Sequence, residues 1–100
     1  MHVMVIADRQ TALAFRAAGL ETWPVTRKEA RGAVKRGLER RDIGILLVTE
    51  EMAEPASDVI EQWEMEGTGL TPLVITIPGV DSPERRRAGT RQQLARILRA

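Results

Sequence analysis

The chain contains no cysteine, so disulfides and thiolate metal centres are excluded, and a reducing compartment fits. It has one histidine, His2, which lacks a second histidine or a thiolate to share a metal with and reads as a strand-end residue. Aromatics are scarce: Phe15, Trp23 and Trp63 are the whole set. The interleaved stacking platforms of single-strand nucleic-acid binders are therefore missing. The formal net charge of +1 supplies no whole-molecule field for nucleic acid. The longest apolar runs span about six residues, against the roughly 20 needed to cross a bilayer. The first residues carry no signal-peptide pattern, since an apolar strand begins at Val3 and runs straight into charge. There is no glycine-rich phosphate cradle, no Walker A lysine, and no lysine at all beyond Lys35. Together these absences predict a cytoplasmic protein without nucleic-acid partners, membrane insertion or a cofactor.

What is present is a regular alternation. Apolar strands are predicted at Val3–Ala7, Leu20–Val25, Ile43–Val48 and Leu73–Ile77. Three of them are continuous apolar runs, the pattern of strands covered by helices on both faces. The second carries Glu21, Thr22 and Pro24, and a proline that cannot donate to a ladder belongs at a sheet edge. Between the strands lie helical segments. Arg9–Ala18 ends at Gly19, with Leu20 placed to fold back onto Phe15. Thr26 with Glu29 forms a capping box. Behind it Ala30, Ala33, Val34, Gly37 and Leu38 fall on one narrow stripe, small enough for close packing on a sheet. A third helix follows Thr49, with Ala56, Val59, Ile60 and Trp63 as its apolar side, and Pro55 confines its regular part to a start near Met52 or later. Ser82-Pro83 and Thr90-Arg91-Gln92-Gln93 read as further helix starts, the last opening a terminal helix with Leu94, Ile97 and Leu98 on one side.

Strand–helix alternation with right-handed crossovers, and an edge place for strand two, predicts an α/β fold. It is a four-stranded parallel sheet in the order 2-1-3-4, flanked by helices and flavodoxin-like or receiver-like. Residues 1–79 would form the globular domain and 80–100 a C-terminal helical segment.

Charge is segregated. Thr26–Asp42 holds seven basic and three acidic residues, whereas Glu50–Glu66 holds seven acidic and no basic ones. In the 2-1-3-4 order these two helices are neighbours, so a basic helix would rest beside an acidic one; docking faces for partners of opposite charge are the other reading. The terminal segment carries Arg85, Arg86, Arg87, Arg91, Arg96 and Arg99 against Asp81 and Glu84, beside its apolar stripe. Those arginines are either solvated or belong to a docking surface.

Chemistry in a parallel sheet gathers at the carboxyl ends of the strands. Here that edge holds Asp8, Arg9, Thr26, Thr49, Glu50, Pro78 and Gly79. Asp8 and Glu50 would be the oxygen donors for a divalent cation in a receiver-like signalling module. The competing reading is that Asp8 and Thr49 cap the helices that follow them. A phospho-acceptor receiver also needs an acidic cluster after strand one, an aspartate after strand three and a late lysine, none of which is present.

Three segments resemble the F subunit of the V/A-type rotary ATPases and ATP synthases. The first is the turn and helix Ala7-Asp8-Arg9-Gln10-Thr11, Ala14-Phe15-Arg16 and Ala18-Gly19. The others are Asp42–Glu51 and Pro72–Gly79, in the same order and at compatible spacing. Ala7 and Ala14 stand where that family usually has glycine, and Gln10 where it has aspartate. The resemblance implies a non-catalytic central-stalk subunit that grips a coiled-coil shaft and turns with it. Such a subunit couples ATP hydrolysis or synthesis to proton or sodium transport, peripheral to a membrane-bound complex. It also implies a C-terminal helix that can lie against the shaft or reach toward the catalytic head; in this chain the expected shaft contacts are Arg91, Leu94, Ile97 and Leu98, with Trp23 as an edge candidate and Gly79 and Gly89 as hinge points.

Overall fold

The structure is a computed structural model, and it describes residues 2–66 and 72–79. Eight elements follow one another: β1 (His2–Ala7), α1 (Arg9–Ala17), β2 (Glu21–Pro24), α2 (Arg27–Glu39), β3 (Ile43–Thr49), α3 (Glu50–Ala53), α4 (Ser57–Glu66) and β4 (Leu73–Ile77). The four strands form one parallel sheet in the order β2-β1-β3-β4. Fold class and strand order are as the sequence predicts. The predicted terminal helix, with Arg91, Leu94, Ile97 and Leu98, falls outside the described residues, as do Gly89 and the rest of 80–100.

Side-chain alternation sorts the core into two layers. On one face Met4, Ile6, Leu46 and Val48 meet Ala30, Ala33, Val34 and Leu38 of α2, Met52 of α3, and Ile60 of α4. On the other, Val5, Ala7 and Ile77 meet Ala12 and Phe15 of α1. One register shift feeds the larger layer. His2 pairs with Ile43 but Val3 with Ile45, so Gly44 is an extra residue, and Ile43 joins the face of Leu46 and Val48.

Local chemistry explains each element. Gly19 is left-handed, at φ 88°. The Gly19 N–H donates to the Arg16 carbonyl at 2.9 Å and the Leu20 N–H to that of Phe15 at 3.2 Å, the paired bonds of a Schellman stop. Leu20 packs against the layer that contains Phe15. The Glu29 carboxylate accepts from the Thr26 N–H at 2.9 Å and from its hydroxyl at 3.1 Å, the returning arm of the capping box. These bonds from Thr26, the backbone one first, hold the Glu29 carboxyl below its ordinary range. Gly37 is buried so tightly that an added Cβ would lie 3.1 Å from the Met4 Cε and 3.2 Å from the Leu46 Cδ2.

One expectation is corrected. The single helix after Thr49 is two, α3 and α4, broken by a turn through Glu54, Pro55 and Ala56. Proline has no N–H to continue the ladder and its ring crowds the preceding turn. The chain therefore restarts: Ala56 donates to the Ala53 carbonyl at 3.1 Å, and Ile60 to that of Ala56 at 3.0 Å.

Candidate functional site

The carboxyl edge of the sheet gathers Asp8, Thr11, Thr49, Glu50 and Gly79. Asp8 is the N-cap of α1: one carboxylate oxygen accepts from the Thr11 N–H at 3.2 Å, the other from the Thr11 hydroxyl at 2.7 Å. Both oxygens are thereby directed into the first turn of α1. Among the described residues, no three of the histidine and acidic side chains gather into a cation cluster. Asp8 takes the capping role that the sequence allows it.

Thr49 does not. It occupies the N-cap of α3 without a side-chain cap bond, and its buried Oγ1 has no hydrogen-bond partner among the described residues. The first turn of α3 also opens with two acids, Glu50 and Glu51, suited to a helix amino end. Gly79 closes the edge: a Cβ there would stand 3.4 Å from Thr11 Oγ1 and 3.6 Å from Asp8 Oδ1. The end of β4 is thus packed on the start of α1. Beside it an open groove of about 910 Å³ runs between the ends of β1 and β2, bordered by Arg9, Arg27 and Lys28 and by Asp8, Glu29 and Glu51. Its mixed signs leave no dominant field.

Trp23, the edge candidate, is half-buried in β2 and packs against the larger core layer. The Arg40 guanidinium lies over its ring, 5.8 Å from the centroid. That arginine also binds Glu21 and Asp42 and donates to Met4 Sδ at 3.6 Å, tying the start of β2 to the loop before β3. Hydrogen bonds to Asp42 first, and to Glu21, push the Arg40 pKa up, and the same contact lowers that of Asp42. The sequence does not reveal this hub, because Glu21 and Trp23 are far in the chain from Arg40 and Asp42 and the four bear no motif. On its outer side Trp23 walls a groove of about 570 Å³ with Lys28, Gly32, Ala33 and Arg36.

The basic and acidic helices do pair. Arg31 and Asp58 meet at 2.8 Å and Arg27 and Glu54 at 3.3 Å, joining α2 to α4 and to the turn before it. The hydrogen bond to Asp58 raises the Arg31 pKa, and the reciprocal contact lowers that of Asp58. Only some of the charge is absorbed this way. Glu61 and Glu64 on α4 are exposed and make no ion pair within 4.0 Å among the described residues.

The chain and its sheet have counterparts among known proteins. The model of the family described as "ATP synthase (F/14-kDa) subunit" matches residues 3–94. The chain belongs to that family. It is 32% identical to the F subunit of the V-type ATP synthase of Clostridium botulinum (strain Eklund 17B / Type B), over 74% of this chain and 69% of that protein. To the F subunit of the A-type ATP synthase of Thermococcus gammatolerans it is 30% identical, over 98% of this chain and 94% of that one. The crystal structure of the F subunit of the V-type ATP synthase from Archaeoglobus fulgidus superposes with a TM-score of 0.65. The match covers 76% of this chain and 95% of that chain at 23% identity, a likeness of fold. Membership of the F-subunit family stands as the resemblance in the sequence implies. No described helix is long and apolar enough to cross a membrane.

Proposed function

We propose that this chain is a non-catalytic component of the central stalk of a V/A-type ATP synthase. It transmits rotation between the catalytic head and the membrane rotor, with protons or sodium ions as the coupled species. The observation that carries this reading is the family match over residues 3–94, which takes in the sheet, its helices and the start of the terminal stripe. The edge chemistry agrees: the one acid after β1 is used as a helix cap, and Thr49 stands where a receiver would need a nucleophilic aspartate. In this reading the protein works in the cytoplasm, peripheral to the membrane-bound complex, and needs no cofactor of its own.

The coiled-coil shaft subunit is the proposed partner, gripped by Leu94, Ile97 and Leu98 with Arg91 beside them, and with Trp23 as a second contact. Residues 80–100 would then be an arm distinct from the globular domain of residues 1–79. Co-purification from the native host tests the reading. The full chain should bring down the shaft and catalytic-head subunits, and Leu94→Asp with Ile97→Asp should lose the shaft while circular dichroism of the sheet is kept. Full-chain protein that captures no stalk or head subunit overturns the assignment to the complex. Undiminished capture by the double variant overturns the assignment of those residues only.

A further inference from the structure

The two edges of the sheet differ in kind. At β2, Val25 donates to the Ala7 carbonyl at 2.9 Å, so Trp23 and Val25 turn their backbone groups inward and Thr22 and Pro24 turn theirs outward. That outward row is guarded. Pro24 has no N–H to offer, and the Thr22 carbonyl already accepts from the Arg16 guanidinium at 3.4 Å. β4 has neither device. Leu73-Val74-Ile75-Thr76-Ile77 contains no charge and no proline, and among the described residues no strand lies beyond it. Every second residue of β4 points its N–H and C=O away from β3.

The two faces flanking that edge also differ. On the α1 side, register places Leu73 beside Ile45 and Ile75 beside Leu47. Ile77 joins the layer under α1 and Leu47 packs against it, whereas Leu73, Ile75 and Ile45 are not part of that layer. Leu73 is 55% and Ile75 39% exposed, and Ile45 and Leu47 are half-buried. On the opposite side α4 packs against the start of β4, where Trp63 Nε1 donates to the Pro72 carbonyl at 3.0 Å. Asp58, Gln62 and Glu66 line the side of α4 toward α2. Helical geometry puts Glu64 on the flank turned away from α2, toward the β4 edge, and Glu61 between Glu64 and Asp58 on the outer face of α4. Both acids are exposed and, among the described residues, without an ion pair.

We propose that the open edge of β4 accepts an extended segment of a partner polypeptide whose side chains alternate between apolar and basic. The backbone of that segment continues the sheet. Its apolar side chains lie on the α1 side beside Leu73 and Ile75, and its basic ones on the α4 side beside Glu64, with Glu61 one turn before it on the outer face. Main-chain bonds supply attachment, and the alternation supplies selectivity. The proposal is argued from the sheet and α4 alone and does not use the terminal stripe assigned to the shaft.

The test uses the isotopically labelled full chain and two short synthetic peptides, one alternating lysine and valine, the other glutamate and valine. The lysine–valine peptide should shift and slow the exchange of amides in Leu73–Ile77, and should bind on the order of tenfold more tightly than its acidic counterpart at low salt. Glu61→Lys with Glu64→Lys should reverse that preference. Leu73→Lys with Ile75→Lys, at positions already exposed, should abolish binding with the fold retained. Equal binding of both peptides overturns the proposal, as does a perturbation that spares Leu73–Ile77. So does slow exchange of the outward β4 amides in the free chain, which would mean that the chain itself, or a second copy, already covers this edge.

Discussion

At the scale of single residues, the same position type meets different ends. Asp8 follows β1 and Thr49 ends β3, each directly before a helix, and both read as caps in the sequence. Asp8 is bonded to Thr11 through both oxygens, whereas the Thr49 hydroxyl is buried without a partner among the described residues. Removing an effective cap costs about 1 kcal/mol, so Asp8→Ala should destabilise by about that amount in urea unfolding. A buried unsatisfied hydroxyl carries a desolvation penalty of about 1–3 kcal/mol that an isosteric methyl does not. Thr49→Val is therefore expected to be neutral or to stabilise by up to about 1 kcal/mol, and a loss larger than that would mean the hydroxyl is engaged. Sequence could not separate the two residues, because capping depends on whether the oxygen can turn back to the helix amides. The side chain of Thr49 is enclosed beside Gly79, whose Cβ position lies 4.0 Å from the Thr49 methyl.

At the scale of elements, legibility followed local physics. The apolar stripe Ala30, Ala33, Val34, Gly37 and Leu38 is buried as its spacing predicts, and Pro24 marks an edge strand because a missing donor has no place inside a sheet. The break between α3 and α4 was readable only in outline: Pro55 announces an interruption, but whether the chain restarts before or after it depends on how Ala56 and Ile60 seat under the sheet. The Arg40 hub was not legible at all, since Glu21, Trp23 and Asp42 converge only once β1 and β2 have paired. The two glycines of α2 give a sharper comparison. At Gly32 an added Cβ meets nothing nearer than Arg36 Nη1 at 3.6 Å, so Gly32→Ala should gain most of the alanine helix preference, about 0.5–1 kcal/mol. At Gly37 the same methyl would press on Met4 and Leu46, both fully buried, at 3.1–3.3 Å. Overpacking costs about 1–3 kcal/mol and outweighs that preference, so Gly37→Ala should be net destabilising by about 1 kcal/mol. Thermal melts of the two variants should move in opposite directions, and parallel shifts would show that the α2–sheet gap is looser than its contacts imply.

At the scale of the whole molecule, charge is arranged to hold elements together rather than to make a net field. Three carboxyls are held below their ordinary range in the folded state: Asp42 by the hydrogen bond from Arg40, Asp58 by that from Arg31, and Glu29 by the Thr26 backbone. Each ties two regions of the chain, Asp42 the sheet edge, Asp58 the α2–α4 seam and Glu29 the start of α2. A carboxyl whose folded pKa lies below its unfolded one contributes stability that is complete above the unfolded value. That contribution is lost as pH falls through the folded value. The unfolded references are 3.8 for the aspartates and 4.5 for the glutamate, so stability should be level near neutrality and decline below about pH 4.5. Asp58→Asn removes one of these titrations and Arg31→Ala removes its cause. Either variant should start from lower stability at neutral pH and show a shallower acid decline than the parent, measured as urea midpoints from neutrality to about pH 3. Because the pairs are exposed, added salt should shrink the difference between parent and variant. An acid limb equally steep in the parent and in both variants would place the pH sensitivity outside the seam between α2 and α4.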